Sequence, residues 1–500
     1  MNNSNMYLEI SGVVEAYRDR IALRAGNGNE LSYGELDAEV ARYANALCET
    51  GLRRGDRVAV QLRKSIPSLF VYLACLRAGL VYLPLNTAYR SAELDYFLRD
   101  AEPGLILVEA KQRTAMEDLA KATIGATVMT EEEVTGLAQR AAGSHEQFPT
   151  ATSGPDDLAV IIYTSGTTGR SKGAMVTHDN LVSNARALTQ QWKFTGDDVL
   201  LHALPIFHVH GLFVANHCAL TTGACLLWHD RFDASDVARD IKRSTVLMGV
   251  PTYYVRLLGE PDFSREACCS MRLFVSGSAP LLAETHYQFE QRTGHRILER
   301  YGMSEAGMIT SNPYHGERRA GTVGFPLPGV DVRVADEANK PVPNGEKGAI
   351  QIKGRNVFSG YWRMPEKTRE EFTPDGWFRT GDIGLFDADG YLSIVGREKD
   401  LIITGGYNVY PKEIEQVIDE LPGVIESAVI GVPDADFGEA VTAVVVATAG
   451  AQIDQATTIS ALKTKLAGYK VPKHVHIVEA LPRNAMGKVQ KKLLRERFGQ

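Results

Sequence analysis

Along residues 31–110 the apolar positions switch between two periods. LSYGELDAEVARYANALCETG (31–51) carries them at helical spacing, whereas RVAVQL (57–62), LVYLPL (80–85) and LILVEA (105–110) are short apolar runs of strand length. That alternation predicts a layered α/β sheet. IPSLFVYLACLRAGLVYLPL (66–85) is apolar for twenty residues but is interrupted by Arg77, Gly79 and two prolines. It reads as a buried helix (67–78) running into a buried strand (80–84), not as a membrane span. Residues 111–155 are rich in Ala, Glu and Thr and read as peripheral helix and loop.

The rhythm resumes at LAVIIYT (158–164) and continues to about 310, with strands predicted at VLLHAL, ACLLWH, VLMGV, RLFVSG and RILERYG. VDVRVAD, GAIQIKG and YLSIVG, separated by Gly and Asp turns, predict a small antiparallel β unit over 330–396, expected to form a small barrel. After the charged, glycine-flanked GREKDLIITGG (396–406) the pattern restarts as a compact α+β unit of domain size. The expectation is a multidomain α/β protein. Its large N-terminal domain (1–396) holds two α/β sheet subdomains and the β unit, and a small mobile C-terminal domain (397–500) follows.

Composition narrows the class. With 44% hydrophobic and 23% charged residues, the 500-residue chain is globular and too long for one core. A net charge of −7 offers no basic footprint for nucleic acid. The six cysteines (48, 75, 218, 225, 268, 269) have neither metal-ligand nor disulfide-framework spacing. No secretory, prenylation or peroxisomal signal is visible, so a cytoplasmic protein without integral membrane association is expected. Nothing in the sequence assigns an oligomeric state.

The chemistry begins at YTSGTTGRSKG (163–173), where glycines, hydroxyls and Lys172 suit an anion. A Walker A loop fails, because Gly169 is followed by Arg170 and Lys172 by Gly173. GRSKG fits the G-x-S-x-G nucleophile elbow, but that motif belongs between strand and helix, and AMVTH after it looks like strand. A phosphate loop and a ligand-free Gly/Ser turn remain open on this stretch alone.

The rest of the chain resembles the AMP-forming acyl- and aryl-CoA synthetases, within the superfamily that includes adenylation domains and firefly luciferase. YTSGTTGRSKG is similar to their phosphate loop, with Ser171 where proline is common; SGSAPL (276–281) to the adenine-side turn; YGMSEA (301–306) to the ATP/Mg motif. FRTGD (378–382) resembles the ribose motif, GREKDLIITGGYNVYPKEIE (396–415) the hinge, and LPRNAMGK (481–488) the C-terminal lysine loop. All six stand in the family's order. The resemblance implies a ligase that uses ATP, Mg²⁺ and coenzyme A to convert a small carboxylic acid into an acyl-adenylate and then a thioester.

It also implies residue roles. Thr164, Ser165, Gly166, Thr167, Thr168, Gly169 and Lys172 would hold phosphates, and Thr164 and Glu305 the metal. Ser278, Ala279, Pro280, Glu299, Arg300, Tyr301, Gly302, Met303 and Ser304 would surround the nucleotide, and Asp382 and Arg397 its ribose. Lys488 would bridge carboxylate and α-phosphate during adenylation, then leave as the small domain turns about Lys399. Gly405, Gly406 and Tyr407 would then line a thiol tunnel.

HALPIFHVHGLFVANH (202–217) carries four histidines with no carboxylate or cysteine beside them, a poor zinc site. His208 and His210 alternate, so strand geometry would place both on one face. By resemblance His208 is the gate between acyl and thiol pockets, a catalytic position with Lys488, Glu305 and Thr164. The acyl pocket would use His210, Arg256, Ser276, Arg300 and Met308. Two arginines near one small pocket call for an anionic partner, which a second substrate carboxylate supplies. ERYGMSE, VPTYYVRLL and residues 310–330 look most like malonyl-CoA synthetases, although AGMIT (306–310) is more apolar than that subfamily suggests and leaves a methylmalonate-like substrate open. Alternatives are another short, medium-chain or aryl acid, or a carrier-protein-loading adenylation enzyme. In the bland alternative Arg300 pairs with Glu299 or Glu305 and Arg256 faces solvent.

Overall fold

The computed structural model describes residues 3–26, 28–123, 126–131, 136–164, 171–404, 407–434, 437–448, 450–451, 453–484 and 487–499. The apolar runs of 57–110 become a sheet of seven strands. Its parallel core is Val81–Pro84, Arg57–Gln61, Leu105–Val108 and Thr127–Thr130, extended on the other side by Leu158–Thr164, Lys172–Thr177 and Gly360–Tyr361. The strand Thr127–Thr130 forms that edge inside a stretch whose composition suggests only helix and loop.

The segment 66–85 is the helix Ile66–Ala78 and the strand Val81–Pro84, as its interruptions predict. Ser65 caps the helix start by accepting the Ser68 N–H, Pro67 sits in the first turn, and Gly79 ends it at φ 70°. Every side chain from Ser68 to Ala78 is buried, which is why the helix is apolar on all sides. Among the described residues no helix is long and apolar enough to cross a membrane.

A second sheet of nine strands has Val199–His202, Val246–Gly249, Leu273–Ser276 and Leu298–Met303 as parallel neighbours at its centre. The chain's first strand, Ile21–Ala25, joins this second sheet beside Cys225–Trp228, so the N-terminus spans both subdomains. Val330–Ala335, Gly348–Gly354, Phe378–Phe386 and Leu392–Arg397 form the expected antiparallel unit, paired as a four-stranded ladder.

Beyond a 3₁₀ turn at Glu398–Asp400 the C-terminal unit builds its own five-stranded sheet and core around Ile414, Ile418, Val429, Val441 and Leu462. Its helix Pro411–Asp419 faces the large unit. Glu413 there takes Lys347, just before the ladder strand Gly348–Gly354, and Lys470, 2.7 Å away, from its own unit. Lys347 also lies 4.7 Å over the Tyr410 ring.

Candidate active site

The strand Leu158–Thr164 turns back antiparallel on Lys172–Thr177, with Thr164 opposite Lys172. This hairpin is incompatible with the strand–turn–helix of a nucleophile elbow. Ser165, Gly166, Thr167, Thr168, Gly169 and Arg170, the middle of the expected phosphate loop, lie outside the described residues. The Lys172 Nζ stands 3.2 Å from Glu371 Oε1 and 4.1 Å over the Tyr361 ring. Tyr361 in turn donates its hydroxyl to Glu305 Oε1 at 3.2 Å. Glu305 is buried, and burial pushes its carboxyl above the usual range while Tyr361, Lys172 and Arg397 pull the other way. Neither Tyr361 nor Glu371 was among the residues singled out from the sequence.

Asp382 and Arg397 are cross-strand partners in the four-stranded ladder, with Arg397 Nε 3.0 Å from Asp382 Oδ1. The other Asp382 oxygen accepts the Tyr301 hydroxyl at 2.5 Å, and the Asp382 N–H is held by Thr380 Oγ1 at 3.1 Å. Asp382 is thus a buried acid whose two oxygens are both held by fixed partners. Ser278, in the turn that also holds Ala279 and Pro280, adopts φ 71°, a left-handed conformation uncommon for a non-glycine residue. Gly302 is confined: a Cβ there would stand 2.3 Å from the Gly307 carbonyl and 2.5 Å from Met308 Cε. Met303 and Ser304 are half-buried just beyond it.

Alternation along Leu298–Met303 sends Glu299 and Arg300 to opposite faces, so the expected alternative of a Glu299–Arg300 pair does not form. Glu299 accepts the Gly321 N–H at 3.2 Å, and burial pushes its carboxyl up to about 8. Arg300 is buried, and its Nε and Nη2 have no protein hydrogen-bond partner among the described residues. Burial lowers its pKa to about 9. Its guanidinium packs on Gly277, where a Cβ would stand 2.4 Å from Cζ.

Around Arg300 the same condition recurs. Both ring nitrogens of His210, Nδ1 of His208 and Oγ of Ser276 are buried without a protein partner among the described residues. Burial and the Arg300 charge hold both imidazoles neutral, His208 down at about 3. The expected strand alternation of 208 and 210 is corrected: Val209 leads into a π-helical turn, His210–Ala215, and the turn brings both rings toward Arg300. Met308 is buried one strand away, on Gly307–Ser311.

Arg256 is a second correction. On the helix Pro251–Leu258, Tyr254 and Leu257 point inward and Arg256 is exposed, outside the buried cluster. It shares a face with Thr252, whose Oγ1 is 4.0 Å from where a Cβ on Gly487 would lie, and so stands at the rim.

Lys488 closes the cleft from the C-terminal unit. It remains open to solvent, yet protein crowds it, and desolvation and Arg397 lower its pKa to about 8 against the pull of Asp382 and Glu305. One lysine thus lies within electrostatic reach of Arg397, Asp382, Glu305 and Arg300 together. Lys399 sits in the 3₁₀ turn between the units, and burial lowers its pKa. Tyr407 is on the outer face, 57% exposed and stacked on Tyr469 at 4.7 Å. Gly405 and Gly406 lie outside the described residues.

The site is one of adenylate chemistry, and two family models match the chain: AMP-binding enzyme over residues 11–362 and AMP-binding enzyme C-terminal domain over 413–488. The chain belongs to the AMP-binding enzyme family. It is similar to MatB from Rhodopseudomonas palustris, at 53% identity over 100% of this chain and 99% of that one. The TM-score is 0.97 against the ATP-bound crystal structure and 0.86 against the apo one. Among curated relatives, a malonate–CoA ligase of Arabidopsis thaliana is 37% identical over 96% of this chain and 86% of its own length. A feruloyl-CoA synthase of an Amycolatopsis species is 38% identical over 96% of both.

Proposed function

We propose that the chain is an acid–CoA ligase for a small dicarboxylic acid, malonate or methylmalonate. The observation that carries this is the cluster of Arg300, His210 and Ser276, buried polar groups without protein partners among the described residues, at the acyl end of a cleft headed by Lys488. A buried guanidinium is tolerated when an anion answers it, and a second carboxylate on the substrate does so.

In the first half-reaction one substrate carboxylate attacks the α-phosphorus of ATP and pyrophosphate leaves. Lys488, reaching the Asp382, Glu305 and Arg300 region, offsets the charge that develops there. Lys172 and the loop before it hold the departing phosphates. Glu305 with Thr164 would hold Mg²⁺; among the described residues no three His, Cys, Asp or Glu gather, which suits an ion completed by nucleotide phosphates and water. When bound, the ion neutralises phosphate charge. In the second half-reaction the CoA thiol attacks the acyl carbonyl and AMP leaves. For this the C-terminal unit beyond the ladder strand Leu392–Arg397 turns against the large one about Lys399, withdrawing Lys488 and bringing the Tyr407 face inward. His208, neutral, is the gate between the pockets. The enzyme works in the cytoplasm.

A second reading, an aryl acid, draws on the feruloyl-CoA synthase relative. The test is a panel of malonate, methylmalonate, propionate, octanoate, benzoate and ferulate, scored by CoA-dependent release of AMP and pyrophosphate. Malonate or methylmalonate should give the highest kcat/KM. A win for octanoate, benzoate or ferulate overturns the dicarboxylate assignment, and ADP with phosphate as products overturns the ligase mechanism.

A further inference from the structure

Lys64 comes from the first sheet's subdomain, just before the cap of the helix Ile66–Ala78, yet its Nζ reaches into the second. It donates to the backbone carbonyls of His202 and His229, both at 2.7 Å, and lies 3.0 Å from His202 Nδ1. The Trp228 ring lies 4.2 Å beneath it. Three acceptors meet the Lys64 amine, and burial lowers its pKa well below the usual lysine range. The third is His202 Nδ1; the His202 proton sits on Nε2, because the carbonyl that Nε2 faces can only accept. That nitrogen is 3.0 Å from the Gly211 carbonyl and donates to it.

Gly211 lies in the turn that carries the two pocket histidines. A Cβ on it would be 2.1 Å from the Pro205 carbonyl, so the two ends of residues 205–211 are in contact. The Leu212 N–H closes the same turn on the His208 carbonyl at 2.8 Å. His202, at the end of the strand Val199–His202, is the rigid point to which this turn is pinned.

We propose that Lys64 and His202 are positioning residues for the acyl end of the substrate. Lys64 braces the Nδ1 side of His202, the His202 Nε2–H fixes the Gly211 carbonyl, and the pinned turn sets where His208 and His210 stand beside Arg300. The inference rests on the reading that this pocket receives the second carboxylate.

The test compares Lys64→Met, His202→Phe, His202→Asn and His202→Gln, assayed with malonate and propionate at saturating ATP and CoA, with the KM for ATP measured alongside. Displacing a pocket group by about an ångström costs on the order of 10²-fold in rate terms, and a loosened turn should cost at least ~10-fold. Lys64→Met and His202→Phe should therefore lose ~10-fold or more in kcat/KM for malonate, mainly through KM, with propionate and the KM for ATP little changed. His202→Gln retains an N–H near the Nε2 position and should recover most of the loss, whereas the shorter His202→Asn should not.

Equal malonate constants for Gln and Asn overturn the proposal, and so does a parallel fall for both acids and ATP. If Lys64→Met does not fold, the Gln/Asn pair decides. A wild type with no preference for malonate over propionate defeats the dicarboxylate reading instead. The Gln/Asn comparison on its best acid then still decides the positioning claim.

Discussion

Arg397 faces Asp382 across two antiparallel strands, 3.0 Å from Nε to Oδ1, at the last residue of the large unit's β ladder. Two residues further on is Lys399, in the turn that joins the units. The proposed ribose contacts therefore belong to the ladder, while Lys488 belongs to the C-terminal unit on the far side of that turn. In the proposed mechanism, ligand grip and catalytic charge are thus on opposite sides of the turn.

Lys488→Ala should accordingly slow acyl-adenylate formation by at least ~10²-fold, the scale of losing one preorganised charge-stabilising donor. Given presynthesised acyl-AMP and CoA, the variant should form thioester at close to the wild-type rate. Single-turnover assays of each half-reaction check this; equal losses in both contradict the turning-domain mechanism.

The pH dependence of adenylation follows from the same lysine. Its pKa is lowered to about 8, so the charged form is complete well below that value and is lost as pH rises through it. Because kcat/KM reports the free enzyme, kcat/KM for adenylation should fall above about pH 8 by this group. Pyrophosphate release measured between neutral and alkaline pH tests it. A flat profile through that region would mean that the Lys488 charge is not required.

Arg300→Ala should cost about 10²-fold to several 10³-fold in kcat/KM for malonate, from the roughly 3–5 kcal/mol lost when one side of a buried charge pair is truncated. The loss for propionate should be much smaller. Measuring both acids separates selectivity from general damage, since a common loss would reflect damage alone.

Glu299 provides a stability prediction. Its folded-state pKa is raised to about 8, so the folded protein keeps this proton over a range where the unfolded chain releases it. Its contribution is fully present at acidic pH and is lost as pH rises from the ordinary carboxylate range through about 8. Glu299→Gln should flatten the fall of Tm across that window and leave the variant a few degrees more stable at the alkaline end. Thermal scans at several pH values would decide the matter, and an unchanged slope would rule out a buried neutral carboxyl.

Much of the candidate site is drawn from short ordered runs: Thr164 and Lys172, Asp382 and Arg397, and Lys488 each come from a motif, and the fold sets the first two pairs opposite each other on antiparallel strands. The parts that are not legible depend on chain-distant packing. Lys172 meets Glu371 and Tyr361 across nearly two hundred residues, and no local pattern announces that meeting. Arg256 is misplaced by the sequence pattern because a cation near a pocket in sequence says nothing of helical phase; Tyr254 and Leu257 take the inward direction. The histidine pair is expected to share a face through strand geometry, and does so through a π turn. The first strand's passage into the second sheet is likewise a long-range choice that apolar periodicity does not encode.

The absence of a side chain at Gly277, on which the Arg300 guanidinium rests, links two positions that natural variation cannot change independently. Any residue larger than glycine at 277 would force the guanidinium to shift from this position. Relatives that keep arginine at the position of 300 should keep glycine at 277, and those that have filled 277 should have abandoned the arginine and, with it, acids bearing a second charge. The route from a dicarboxylate to a neutral acyl group would then open with a single methyl group at a backbone position, before the arginine itself mutates. Reconstructed ancestors along such a lineage should show that order of replacement.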